Sequence, residues 1–259
     1  MSVLSDKDIK LGIASYNLVE DSVAEGIGPS CYELRMGDVY YDLTEDNKRI
    51  QLKEGENVII KPGHLVVLIS KEKLNIPDYI LGRIISKGSL FSIGLTPACT
   101  NADPGFVGNI GIVTQNISNQ YIKLPQGESI AKIDFSQLSS PAEKPYRGQH
   151  GYHTQIWPIK EQLQKAHADV KDDSRVKSEM TEAYRILPAS TAQIIKKTIR
   201  YQKINSILMI LLVLANTGLI AAVNKQWIDV STSFGISILA GIVVLISTNL
   251  ADKVFKNEY

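Results

Sequence analysis

The chain has little of what would announce a function at first sight. Its 259 residues include 2 cysteines, Cys31 and Cys99, too few for a disulfide scaffold, and this points to a reducing compartment. Neither charge dominates. The 28 Lys+Arg face 27 Asp+Glu for a net +1, so the basic excess of a duplex-DNA-binding protein is missing. The 4 histidines (His64, His150, His153 and His167) show no metal-ligand spacing with either cysteine. Met1–Lys10 is polar, so no secretory leader is expected. With 44% hydrophobic and 21% charged residues, the composition also excludes a disordered chain.

What is present is unevenly spread. Ile204–Val223 and Ser231–Ala251 carry no charge, and each is long enough to cross a hydrocarbon layer of about 30 Å as a helix. The short Asn224–Val230 connection, holding Lys225, Trp227 and Asp229, implies an antiparallel hairpin with both ends on one side of a bilayer. Lys196, Lys197, Arg200 and Lys203 precede the first run, Lys253 and Lys256 follow the second, and the turn offers Lys225 alone. The excess of basic residues at the outer ends places both termini in the cytoplasm, at a bacterial inner membrane, with Trp227 as an interfacial anchor on the far side. Asn216, Thr217, Gly218, Gly235, Ser237 and Gly241 suit helix packing in lipid, and would equally suit the lining of a narrow aqueous path.

Residues 159–203 read as a charged helical linker. Leu163, Ala166, Val170, Met180, Tyr184 and Leu187 suggest a heptad seam broken by Asp173 and Lys177. Pro188 stops this helix, and Ser190 is expected to cap the next.

Residues 1–158 are different again. Short β-type runs (Asn57–Lys61, Leu65–Ser70, Tyr79–Ile85, Val107–Asn116, Ser129–Phe135) are separated by turns at Lys61-Pro62-Gly63, Asp103-Pro104-Gly105 and Pro125-Gln126-Gly127. This spacing predicts a mainly β sandwich or jelly-roll, with one N-terminal helix capped by Ser5 and carrying Asp8 in its first turn. The expected organisation is therefore a β domain at 1–158, a helical linker or stalk at 159–203, and a two-helix transmembrane hairpin at 204–259.

Seven segments, in order, resemble one enzyme superfamily. Leu4–Ile9, Tyr32–Gly37, Pro62-Gly63, Gly82–Leu95, Asn101–Gly108, Leu124–Lys132 and Ser139–Gly151 are similar to segments of deoxycytidine triphosphate deaminases, and Gly82–Leu95 and Asn101–Gly108 also to deoxyuridine triphosphatases. The resemblance implies a distorted jelly-roll of the deoxyuridine triphosphatase type. It also implies homo-oligomers, trimers or tetramers, with nucleotide sites between subunits. The ligand-binding positions it implies are Lys87, Gly88 and Ser89 in the phosphate segment, Asp103 at the sugar, and Tyr146, Arg147 and Gln149 in a closing tail.

The same resemblance puts the deaminase's glutamate at Val113, its serine at Gly88 and its arginine at Ser92. Valine cannot shuttle a proton. With no catalytic residues, metal or cofactor assigned, the expectation is a non-enzymatic sensor. A nucleotide or oligonucleotide signal, made by a neighbouring nucleotidyltransferase, would control a membrane effector or ion channel in anti-phage defence. The alternative is a membrane-tethered deoxynucleoside triphosphate hydrolase, in which Asp103 orients the attacking water and Mg²⁺ bridges the phosphates.

Overall fold

The computed structural model of the chain describes residues 2–148 and 157–256, with side chains up to residue 245. The chain divides into two compact units, Met1–Glu161 and Gln162–Tyr259.

The first unit is mainly β. Its elements are β1 (Ser2–Val3), α1 (Asp6–Tyr16), β2 (Val19–Glu20), β3 (Tyr32–Asp42), β4 (Lys48–Gln51), β5 (Asn57–Ile60), β6 (Leu65–Asn75), β7 (Ile80–Ser86), α2 (Gly88–Phe91), β8 (Leu95–Pro97), β9 (Thr100–Ala102), β10 (Val107–Asn116), β11 (Ile122–Pro125) and β12 (Ser129–Gln137). A curled sheet runs β8-β10-β6-β3-β12-β7-β9, with β1 on β12, β2 on β6 and β4 on β3, while β5 and β11 form a separate ribbon. This is the distorted jelly-roll expected from the sequence, and all five expected strands lie within a residue or two of an observed one or inside a longer one. The three turn glycines, Gly63, Gly105 and Gly127, adopt φ of 78°, 89° and 79°, a region that side-chain-bearing residues avoid. At the N-terminus, the Asp8 backbone N–H donates to Ser5 Oγ, and the Asp8 carboxylate accepts from the Ser5 backbone N–H, closing a capping box on α1.

Alternation along the strands builds the core. Leu34, Met36, Val66, Leu68, Ile84, Ile112, Ile133 and Phe135 point inward and are buried to 2% exposure or less. Burying one such side chain contributes about 1.5–3 kcal/mol. The outer face of β3, β6 and β10 is covered too. Val39, Tyr41, Val67 and Ile69 form a second apolar layer against which Val113, Trp157 and Ile159 pack. A charged pair sits inside the first unit: Glu72 is fully buried and accepts from Arg35 Nε at 2.5 Å. Its second carboxylate oxygen accepts the Arg35 backbone N–H at 2.8 Å.

The second unit is helical. It holds α3 (His167–Val170), α4 (Glu179–Ile186), α5 (Ala189–Asn224) and α6 (Val230–Lys256). The expected heptad seam is not one helix. Its residues fall on α3, α4 and the segments around them, because a turn at Asp173, whose carboxylate accepts the Arg175 backbone N–H at 2.9 Å, interrupts the run. Pro188 does end α4's stretch, but it occupies the N-cap of α5 itself, and Ser190 lies one residue inside the helix rather than capping it. α5 has 36 residues, about 54 Å at 1.5 Å per residue, and is long and apolar enough to cross a membrane. Val230–Leu245 of α6 is a shorter apolar stretch. The two helices meet through Ser237 Oγ, which donates to Asn216 Oδ1 at 2.7 Å, and Asp229 caps α6 by accepting the Thr232 backbone N–H at 3.0 Å.

Candidate functional site

The implied site residues fall into two groups on the β unit. The first is the phosphate segment. β7 ends at Ser86, and Lys87 opens α2 in an extended conformation, its carbonyl accepting the N–H groups of Leu90 and Phe91 at 3.1 and 3.0 Å. Gly88 and Ser89 are exposed, and nothing lies within 4 Å of where a Gly88 side chain would start. A serine would therefore fit at Gly88, so space does not account for the glycine.

Lys87 is half-buried and engaged. Its Nζ donates to Glu33 Oε2 at 2.9 Å, and Lys132 Nζ stands 3.8 Å from the other oxygen. Strand register explains this: Lys132 on β12 pairs with Glu33 on β3 and, across its other edge, with Ile85 on β7, two residues before Lys87. Burial would raise the Glu33 carboxyl, but the hydrogen bond and charge of Lys87, with Lys132 behind it, hold it below its ordinary value. Glu33 has no counterpart in the sequence reading. Its signal was a glutamate on a strand whose partner appears only once the register is known.

The second group surrounds Asp103. The Asp103-Pro104-Gly105-Phe106 turn closes with the Phe106 N–H donating to the Asp103 carbonyl at 2.9 Å. Gly105 is needed there twice over, for its φ of 89° and because a Cβ would come within 2.9 Å of Pro145 and of the Tyr146 carbonyl. The tail is thereby held on the turn: the Tyr146 N–H donates to the Pro104 carbonyl at 2.7 Å, and its ring lies 5.9 Å from that of Phe106. Asp103, Asn101, Phe106, Tyr146 and Trp157 line a cleft of about 280 Å³. Asp103 is exposed at it, and Arg147, also exposed, follows Tyr146. Gln149 lies outside the described residues.

The two groups are not brought together in one chain. β7 and β9 are antiparallel, with Gly82 opposite Ala102 and Ile84 opposite Thr100. Asp103 thus continues the ladder opposite Leu81, six residues from Lys87, or roughly 20 Å at about 3.3 Å per residue. Around the Lys87 end, Phe91, Ile93 and Ile117 are 56%, 50% and 63% exposed.

Val113, where the resemblance puts a glutamate, faces the outer side of β10 and packs in the second apolar layer with Trp157 and Ile159. Trp157 was missed by the sequence reading as a site residue. Separately, Asp42, Glu45 and His64 bring three potential metal-donor atoms within 4.8 Å of one another. They already satisfy their neighbours: His64 Nδ1 bonds Asp42 Oδ2 at 2.8 Å, and Glu45 accepts from Lys61.

Comparison with known proteins agrees with the resemblance. The model of the dCTP deaminase-like family matches residues 3–138, just over half of the chain. A "dCTP deaminase, dUMP-forming" of Dictyoglomus turgidum is 33% identical over 183 residues, covering 62% of this chain and 94% of that protein. One of the same name from Methanosphaera stadtmanae is 32% identical over 166 residues, covering 56% and 84%. The crystal structure of a 2'-deoxycytidine 5'-triphosphate deaminase from Agrobacterium tumefaciens superposes with a TM-score of 0.45 at 14% identity, over 51% of this chain and 47% of that one. These relatives overturn the expectation of a non-enzymatic domain. Sequences aligned over nearly their whole length carry enzyme names, and they point to an enzyme.

Proposed function

Because the chain belongs to the dCTP deaminase-like family, whose model matches residues 3–138, we propose that its β unit is an enzyme acting on the phosphate chain of a deoxynucleoside triphosphate. The observation that carries this reading is the cleft at Asp103: an exposed carboxylate at the rim of a space walled by Phe106, Tyr146 and Trp157. Its volume of about 280 Å³ falls just under the usual range for ligand pockets, which suits one nucleoside rather than an oligonucleotide. Asp103 orients and deprotonates the attacking water. Lys87 and Ser89 hold phosphate oxygens, Lys87 exchanging Glu33 for the ligand.

Asp103 and Asn101 offer hard oxygen donors at the same cleft, the type that Mg²⁺ takes. Mg²⁺ bound there would neutralise phosphate charge. Ring deamination is not part of the reading, since Val113 in its apolar layer offers no group to move a proton.

The distance between Lys87 and Asp103 within one chain favours a site completed by a second copy, and the exposed Phe91, Ile93 and Ile117 around Lys87 supply apolar surface for that contact. α5 and α6 act as a bilayer hairpin that tethers this enzyme. The basic residues Lys196, Lys197, Arg200 and Lys203 before the apolar run of α5 favour a cytoplasmic β unit. The comparisons bear on the nucleotide domain and not on a pore or on anti-phage defence.

The test is product analysis. Full-length protein in detergent, given dUTP or dCTP with Mg²⁺, should release phosphate or diphosphate and leave the base unchanged. Asp103→Asn should lower the rate at least 100-fold, the scale of a lost general base. Conversion of cytosine to uracil, or turnover indifferent to Asp103→Asn, contradicts the reading.

A further inference from the structure

Trp157 lies beyond the residues that the family model covers, yet it forms part of the cleft. Its position is built, not incidental. The indole lies directly on bare strand at Gly111: a Cβ there would come within 2.2 Å of the ring. The Trp157 backbone N–H donates to Tyr41 Oη at 3.1 Å, and the side chain packs with Val39, Tyr41, Val67 and Ile69. One part of the ring is thus anchored in an apolar layer, while the residue also borders the space beside Asp103 and Tyr146.

We propose that Trp157 is a ligand-contacting residue that stacks on the nucleotide base and adds affinity for a base-bearing ligand over bare phosphates. Like the reading it deepens, this rests on the Asp103 cleft taking a nucleotide. The chemistry is direct. Val113, next along this face from Gly111, has no hydrogen-bonding group with which to read a base edge. A fixed indole offers a flat π face at little entropic cost, and every nucleobase has a matching one. The expected ligand class is a mononucleotide recognised by the face of its base as well as by its phosphates. Gly111 and Tyr41 serve as positioning residues, one leaving room for the ring and the other fixing the backbone that carries it.

The chain has 2 tryptophans, so Trp227→Phe leaves Trp157 as sole reporter in the full-length protein. Adding dUTP or dCTP should change its emission, and tripolyphosphate, which has no base, should not. Trp157→Ala should weaken dUTP binding roughly tenfold by calorimetry, leave tripolyphosphate binding unchanged, and be largely rescued by Trp157→Phe. Gly111→Ala, which pushes the ring off the strand, should reproduce the loss with the tryptophan present, which guards against a folding defect in Trp157→Ala. Two outcomes overturn the inference while sparing the cleft reading: nucleotide binding that leaves Trp157 emission unchanged, or an equal loss of dUTP and tripolyphosphate affinity in Trp157→Ala. Absence of nucleotide binding to the unmodified protein overturns both.

Discussion

The same side chain does opposite things in the two units. Ile60, Ile84 and Ile133 of the β unit are 0%, 1% and 0% exposed, whereas Ile207, Ile210 and Ile220 on α5 are 57%, 59% and 62% exposed. In water the first arrangement is what the hydrophobic effect produces, and the second would be strongly unfavourable. A helix with this much exposed apolar surface suits an apolar solvent, where backbone groups are satisfied within the helix and neighbours such as α6 are held by packing and a few polar contacts. Polar groups follow the same contrast. Glu72 in the β core needs Arg35, while Asn216 between the helices is met by one hydroxyl, that of Ser237.

The largest effect expected from this contrast is nearly all-or-none. Full-length protein should sediment with membranes and resist an alkaline wash, and deletion of residues 189–259 should release the β unit into the soluble fraction. Release of the undeleted chain by washing would remove the distinction between the units.

Next in size is the buried pair. Arg35→Met leaves the fully buried Glu72 carboxylate without its counter-charge, though still hydrogen-bonded by the residue-35 backbone N–H and Tyr32 Oη, and should cost about 3–5 kcal/mol in denaturant unfolding of the β unit. Breaking the exposed Arg185–Glu182 pair of α4 should cost under about 1 kcal/mol.

Acid probes a smaller term. The Glu33 carboxyl sits below its usual 4.5 in the folded chain, so its stabilisation is present above that value and is lost as pH falls through the lower, folded one. The loss should be no more than about 1 kcal/mol, the scale of a solvent-touching ion pair, and should shrink in Lys87→Met, where Ser129 and Lys132 still favour the ionised carboxyl, when unfolding is followed between pH 6 and pH 3. Smallest is Asn216→Leu, which removes the hydrogen bond to Ser237 and should cost the hairpin about 0.6 kcal/mol, measured by helix association in micelles. A cost above that of Arg35→Met would reverse the comparison.

The β unit was largely legible in the sequence because its signals are local. Turn glycines with positive φ, period-two alternation and the Ser5–Asp8 cap each act within a few residues. Leu65–Ser70 was also visible as a strand, but its unbroken apolar run says only that both faces are covered. That Trp157 and Ile159 supply the second cover depends on a contact some ninety residues away, which no local pattern encodes. The same holds for Glu33, which reaches Lys87 only through the β3–β12–β7 register. Within residues 159–203 helices are present, but the first of them is divided into α3 and α4. The seam's interruption at Asp173 was visible in the spacing; that it is a full turn separating two helices, held by the Arg175 N–H on the Asp173 carboxylate, was not.

The central claim is that the β unit is a hydrolytic enzyme whose site joins Asp103 of one copy to Lys87 of another. Mixing tests it most directly. Lys87→Met and Asp103→Asn chains, each inactive towards dUTP with Mg²⁺, are dissociated together and reassembled. Recovery of a fraction of unmodified turnover in the mixture, from sites that draw an intact residue from each parent, is the predicted result. A mixture as inactive as its parents, or full activity in the Lys87→Met chain alone, would contradict it.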